Sequence, residues 1–285
     1  MPVRAATHSA NRPFGPLLRS WRTSRHLTQL DLALEAGVSA RHLGFLECGR
    51  SSPSREMVLT LADALEVPLR EQNVLLQAAG FAPIFRESDL TGPDISGIRT
   101  ALDLILRRHE PFGAIAITHR WDVVMANRPQ ATMLTALVGR EICAYCVLEP
   151  PRPNVLQLLF APVGLRQMLA NWEAVARETL HRARRDALWA RDAQLEATVR
   201  EFSATLASVS DAPDRGGAAV LPVEVREQET VLRFFSTLTT LGAPQDVTLQ
   251  ELRIEAFHPA DPATETRVRE AFDARVQCES AFAGQ

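Results

Sequence analysis

The chain has 285 residues, 46% of them apolar and 23% charged, with a formal net charge of −3; this is long enough for two domains with buried cores. All 31 basic residues are arginine, which excludes chemistry that needs a lysine: a Walker-type phosphate loop ending in GKS or GKT, a Schiff base or a lysine general base. Four cysteines (Cys48, Cys143, Cys146, Cys278) make no disulfide framework, no apolar run approaches the ~20 residues of a membrane span, and the first dozen residues lack the apolar stretch of a signal peptide, so a reducing, cytoplasmic location is expected.

Residues 1–12 are small and polar and read as a flexible tail. From Phe14 to Ala79 the pattern is helical, in short bursts. Leu17, Leu18 and Trp21 mark a first helix. Thr28 caps a second, with Leu30, Ala33 and Leu34 as its apolar stripe, and Gly37 stops it. Ser39 caps a third, which carries Leu43 and Leu46 and ends at Cys48-Gly49. Ser54 caps a fourth (Met57, Leu61, Leu65), and Pro68 opens a fifth that stops at Gly80. The expectation is an all-α five-helix domain over 13–80, followed by a linker over 81–94.

Past Gly92-Pro93-Asp94 a helix is expected from about Ile95 to His109. Phe112–Thr118 and Trp121–Ala126 are β-type runs two residues apart, a hairpin signal. Residues 128–138 and 154–208 read as helical, and Asp211–Gly217 as a loop. Three strand-like runs follow: Val220–Arg226, Thr230–Thr240 and Thr248–Phe257. In the last, Leu252, Ile254 and Ala256 alternate with Glu251, Arg253 and Glu255, as on a sheet with one wet face. Thr264–Phe282 closes as a helix. The second domain, 95–282, is therefore expected to be α+β with a five-stranded antiparallel sheet. Residues 139–153, rich in proline, carry no readable pattern.

Charge is unevenly placed. Residues 1–60 carry a net +4 and residues 61–285 a net −7, a basic end suited to a polyanion. Two capped helices joined by a glycine turn are the helix-turn-helix arrangement. With Leu43 and Leu46 facing inward, Ala40, Arg41, His42 and Phe45 are free to face a groove. Arg41 can grip a guanine edge with two hydrogen bonds, and Ala40 or Phe45 can touch a thymine methyl. The caps Thr28, Ser39 and Ser54, with Gln29 opening helix two, place helix N-termini where phosphates would lie, and Arg50 and Arg55 add charge. The alternative with the same core is a protein-interaction scaffold that binds no DNA.

The stretch LTQLDLALEAGVSARHLGFLECGRSSPSREMVLTLADALEV is similar to the helix-turn-helix domain of the Xre/Cro/phage-repressor family, a lambda-repressor-like fold covering about 14–80. The resemblance implies DNA binding through the 39–47 helix, with Gln29 on a phosphate-contacting position and Ala40, Arg41 and Phe45 on base-facing ones. The segments WDVVMANRPQATML, NVLQLLFAPVGLRQMLANWEAVARETL and FFSTLTTLGAPQDVTLQELRIEAFHPAD resemble the ligand-binding domain of MmyB-like regulators. That resemblance implies a PAS-like fold over most of 95–275 and a small, apolar, often lipid-like ligand. A sheet half-wrapped by helices can enclose such a ligand. Candidate lining residues are Ile115, Ile117, Val123, Met125, Met133, Leu159, Leu169, Trp172, Phe234, Leu238 and Ile254. A one-component regulator follows, acting as a homodimer on a double-stranded operator.

Other signals are weaker. Cys143 and Cys146 have zinc or redox spacing, but a zinc site wants a second pair, so two plain thiols are favoured over a metal or over a redox switch that toggles DNA binding. Arg182, Arg184 and Arg185 read as a solvated helix face, and His119 as a hairpin-turn residue. No catalytic constellation, cofactor or metal set is present in the sequence, and the chain is expected not to be an enzyme.

Overall fold

The computed structural model describes residues 13–92, 96–209, 221–242 and 244–283. The expected tail over 1–12 and loop over 211–217, the junction residues 93–95 and Val220 lie outside them. The chain divides into two compact units, one running through Glu87 and including Ala243–Gln250, the other formed by Ser88–Gly242 and Glu251–Gln285.

The first unit contains α1 (Phe14–Ser24), α2 (Gln29–Glu35), α3 (Ala40–Glu47), α4 (Arg55–Ala64) and α5 (Leu69–Ala78). Local chemistry sets their ends. Thr28 and Asp31 form a reciprocal capping box on α2; Ser39 accepts from His42 N and Ser54 from Met57 N, both at 3.1 Å. Gly37 and Gly49 turn the chain in the left-handed region, at φ +65° and +71°. Leu18, Trp21, Leu32, Leu43, Leu46 and Leu61 are fully buried at the centre, each contributing roughly 1.5–3 kcal/mol of transfer free energy. At Gly15, a Cβ would lie 2.5 Å from the carbonyl oxygens of Leu46 and Glu47, so α1 meets the end of α3 backbone to backbone. The α2 stripe differs from the expected one: Leu32 and Ala33 are buried, whereas Leu30 and Leu34 are 59% and 73% exposed. Seven residues are too few for periodicity to choose between neighbouring faces.

The second unit holds α6 (Ser96–Arg108), the hairpin β1 (Ala114–Ile117) and β2 (Val123–Ala126), then α7 (Arg128–Val138), α8 (Val155–Phe160), α9 (Leu165–Met168), α10 (Trp172–Ala190) and α11 (Ala193–Val209). β3 (Val223–Glu227), β4 (Thr230–Thr240), β5 (Arg253–Pro259) and α13 (Pro262–Ala283) complete it; α12 (Val247–Gln250) precedes β5 and clusters with the first unit. The five strands form one antiparallel sheet in the order β2-β1-β5-β4-β3. The helical stretch 154–208 is thus four helices. The strand expected from Thr248 begins at Arg253, because Asp246 accepts from Thr248 N and Leu249 N and starts a helical turn instead.

Both sheet edges are covered. The unreadable proline-rich segment runs along β2: Tyr145 N donates to Ala126 O, Leu148 N to Val124 O, and Val123 N to Pro153 O, each at 2.8 Å. At the other edge Ala170 N donates to Glu224 O, and Asn171 Oδ1 accepts from Glu224 N. An edge covered in this way offers no template for a foreign strand. Fully buried Asn127 ties the sheet to its helices, accepting from Ala114 N and Gln130 N and donating to Leu106 O and Phe112 O. In the same proline-rich segment Cys143 and Cys146 are joined in a disulfide, not held as two plain thiols.

His119 does sit in the hairpin turn, but it is buried between two carboxylates: Nε2 is 3.0 Å from Asp192 and Nδ1 3.0 Å from Glu251, while Arg120 pairs with Asp192 at 2.5 Å. Burial pushes the imidazole pKa down, and the two carboxylates more than reverse this, leaving it above its ordinary 6.5. Because the folded value is raised, this stabilisation is complete below pH about 6.5 and lost as pH rises through the folded value. The melting temperature should fall from pH 6 to pH 9, and His119→Gln should flatten that slope. An unchanged slope in the variant would show that the imidazolium is not what holds the turn.

Candidate nucleic-acid interface and ligand cavity

In the first unit α3 packs through Leu43 and Leu46, which are buried. Arg41 is exposed on the opposite side, and Ala40, His42 and Phe45 are half-buried beside it. Arg41 and Phe45 lie one turn apart, and the guanidinium rests 5.5 Å from the ring centroid. This stacking holds the cation in place without using its in-plane donors. Arg50 is exposed in the turn after α3, where its backbone N donates to Phe45 O at 2.9 Å. Ser54 caps α4, and Arg55 begins it, 5.7 Å above the Phe81 ring. Thr28 and Ser39 are exposed and engaged as caps.

Gln29 is exposed, yet its amide is anchored: Nε2 donates to Glu47 Oε2 at 2.8 Å. Glu47 in turn grips Arg22 through two hydrogen bonds, Nε to Oε1 at 2.6 Å and Nη2 to Oε2 at 3.0 Å. Arg22 also donates to Leu27 O. Burial pushes the Glu47 carboxyl upward, but Arg22 and Gln29 outweigh it and hold it below its ordinary range. The pair fixes α3 against α1 and the α1–α2 turn. Sequence reasoning missed it, although Leu43, Leu46 and Glu47 fall at i, i+3 and i+4, the spacing of one buried face.

In the second unit the sheet and helices α7–α10 and α13 line a partly open cavity of about 660 Å³. Seven of the expected residues line it: Ile115, Val123, Met133, Leu159, Leu169, Phe234 and Leu238. Four do not. Ile254 pairs with Ala116, so it points to the opposite face of the sheet, as does Met125. Ile117 follows a register irregularity in β1 and is packed into the core. Trp172 is buried behind the wall, edge-on to Phe160 with centroids 5.7 Å apart, its Nε1 donating to Leu159 O at 2.7 Å.

The register brings in other residues. Ile115 stands opposite Glu255, and Leu238 opposite Glu255 on the other side. The inward face of β5 is thus that of Glu255 and Phe257, which alternation assigned to solvent; both faces of the strand are covered, and Ile254 and Glu255 are alike buried. Val223, Val225, Leu232 and Ser236 also line the cavity, with Trp121. Their period-two spacing in β3 and β4 was available in the sequence. On α10, Val175, Glu178, Thr179 and Arg182 form a stripe at i, i+3, i+4 and i+7. Arg184 and Arg185 are exposed as expected, but Arg182 turns inward. Its Nη1 donates to Glu255 Oε1 at 3.1 Å, and Ser236 Oγ donates to the same oxygen at 2.9 Å.

Among the described residues no group of three or more His, Cys, Asp or Glu is placed to hold a metal, and no helix is long and apolar enough to cross a membrane. Residues 98–271 match the family model described as the MmyB-like transcription regulator ligand binding domain, and residues 18–72 match a helix-turn-helix model. No curated protein matches the chain.

Proposed function

This chain belongs to the MmyB-like transcription regulators, and from that we propose that it is a one-component regulator that binds its operator as a homodimer and answers to a small apolar ligand held in the second unit. A DNA-binding regulator with a ligand-binding domain is what the two family matches support; the dimer, the response and the residues are our reading. The observation that carries it is α3, fixed from beneath by Leu43 and Leu46 with Arg41 exposed and pre-placed over Phe45.

Arg41, Ala40, His42 and Phe45 face base edges in this reading, while Arg50, Arg55 and the capped starts of α2, α3 and α4, with Thr28, Gln29, Ser39 and Ser54, meet phosphate and sugar. One helix-turn-helix reads few base pairs, so two copies bind half-sites about 34 Å apart or a multiple of that. A ligand changes operator affinity only by its differential affinity for the two states of the protein. Action on chromosomal DNA places the protein in the cytoplasm.

Arg41→Ala should cost about 1–3 kcal/mol on the specific site and relax preference at one base position. Arg50→Ala should weaken specific and non-specific binding alike and lower the salt slope by about one. Fluorescence anisotropy across a panel of operator variants and salt concentrations reads both. If Arg41→Ala changes neither affinity nor preference, α3 is not the reading helix. If no genomic fragment binds at low salt, the interaction-scaffold alternative replaces this one.

A further inference from the structure

The cavity lining is mostly apolar, with Gln130, Glu178 and Thr179 among its polar members, and where Arg182, Glu255 and Ser236 meet the hydrogen bonding is incomplete. Arg182 spends Nη1 on Glu255, but its Nε and Nη2 are buried with no partner among the described residues. Trp121, whose ring lies 5.0 Å beneath the same guanidinium, also lines the cavity, and its buried Nε1 has no partner either. A buried donor without an acceptor is destabilising, so this group is suited to something that supplies acceptors. Ser236 does not supply one: its hydroxyl donates to Glu255, and its oxygen accepts from neither free N–H group of Arg182.

Charge decides which acceptor. The Arg182 cation is already matched by Glu255, and the third charged residue of the lining is another carboxylate, Glu178. A ligand anion would put a second carboxylate against one guanidinium in a mostly apolar cavity, where an uncompensated charge is strongly disfavoured. A neutral carbonyl oxygen takes both free N–H groups of Arg182 and adds no charge.

We propose that the cavity takes an uncharged amphiphile, an ester, amide or lactone with an alkyl body, whose carbonyl oxygen accepts from Nε and Nη2 of Arg182. This rests on the reading of the cavity as the ligand site. Glu255 is the selectivity residue: by neutralising Arg182 it excludes alkyl carboxylates that would otherwise fit the same space.

Binding of three probes of equal chain length to the delipidated full-length protein tests it, read by tryptophan fluorescence: methyl decanoate, decanoate and n-decane. Methyl decanoate should bind about tenfold more tightly than either of the others. Arg182→Met should erase its advantage over decane. Glu255→Gln, which leaves Arg182 uncompensated, should invert the order and favour decanoate by about tenfold. Decanoate binding the wild type as tightly as the ester overturns the neutral head group. Equal binding of ester and decane overturns the role of Arg182 while leaving the cavity reading intact. Failure of all three probes to bind overturns the cavity reading itself. The wild-type comparison stands even if a variant does not fold.

Discussion

Glu47→Ala should lower the stability of the N-terminal unit by about 3–5 kcal/mol, the usual cost of removing one partner of a buried ion pair. Glu47 has a side chain only 2% exposed and Arg22 one of 10%, and two hydrogen bonds join them. Without Glu47 the guanidinium keeps, among the described residues, only its bond to Leu27 O, and the Gln29 amide loses its anchor. Against a total stability of some 5–15 kcal/mol, such a loss raises the fraction of molecules in which α3 is unfolded. Operator affinity should therefore fall, although Glu47 is buried. Amide hydrogen exchange separates the two units, and protection should drop across α1–α3 while β1 and β5 keep theirs. A different result is expected when both partners become leucine: replacing a whole buried pair by apolar groups is often near neutral. If Glu47→Ala and the double variant cost the same, the pair is not coupled. The folded pKa of Glu47 is lowered, so its contribution is complete above the ordinary carboxylate value and lost as pH falls through the depressed one.

Trp172→Ala should destabilise the C-terminal unit by about 3–5 kcal/mol. The indole is 7% exposed, lies edge-on to Phe160 and hydrogen bonds to Leu159 O. Phe160 stacks in turn on Phe202 of α11, centroids 4.7 Å apart. One side chain thus links α8, α10 and α11, and its loss leaves a void among them. Trp172→Phe keeps the ring contact and strands the Leu159 carbonyl, so about 1–3 kcal/mol is expected. Hydrogen exchange of α8 and α10 reads both changes. Had Trp172 lined the cavity, the alanine variant would enlarge it, bind bulkier probes and cost little stability, an outcome that would move the cavity wall.

Of the eleven residues expected in the cavity, seven line it and four do not, and the sheet register accounts for Met125 and Ile254. Met133, Leu159 and Leu169 lie on or beside amphipathic helices whose inward stripe is set by residues three and four apart, so their placement is legible locally. Phe234 and Leu238 share a strand face by the same logic at period two. Ile254 failed because alternation says which residues share a face but not which face meets the helices. That depends on the pairing of β5 with β1 and β4, residues far apart in the chain, and a shift of one position exchanges the faces. A charged residue at 255 and an apolar one at 254 made the wrong face look right, because the partners of Glu255, Arg182 and Ser236, are 73 and 19 residues away.

The amino-acid sequence by itself determined the helix ends of the N-terminal unit, the Arg41–Phe45 surface of α3, the basic end and acidic remainder, and the order of strands and helices that follows. Each of these rests on interactions within about four residues, where capping, glycine turns and periodicity act directly. Only the tertiary structure decided the Arg22–Glu47 pair, the inward turn of Arg182, the face of β5 and the use of residues 145–153 to cover the β2 edge. A charge is buried, and a backbone edge satisfied, only by a partner brought from elsewhere in the chain, and local sequence carries no record of which partner that is.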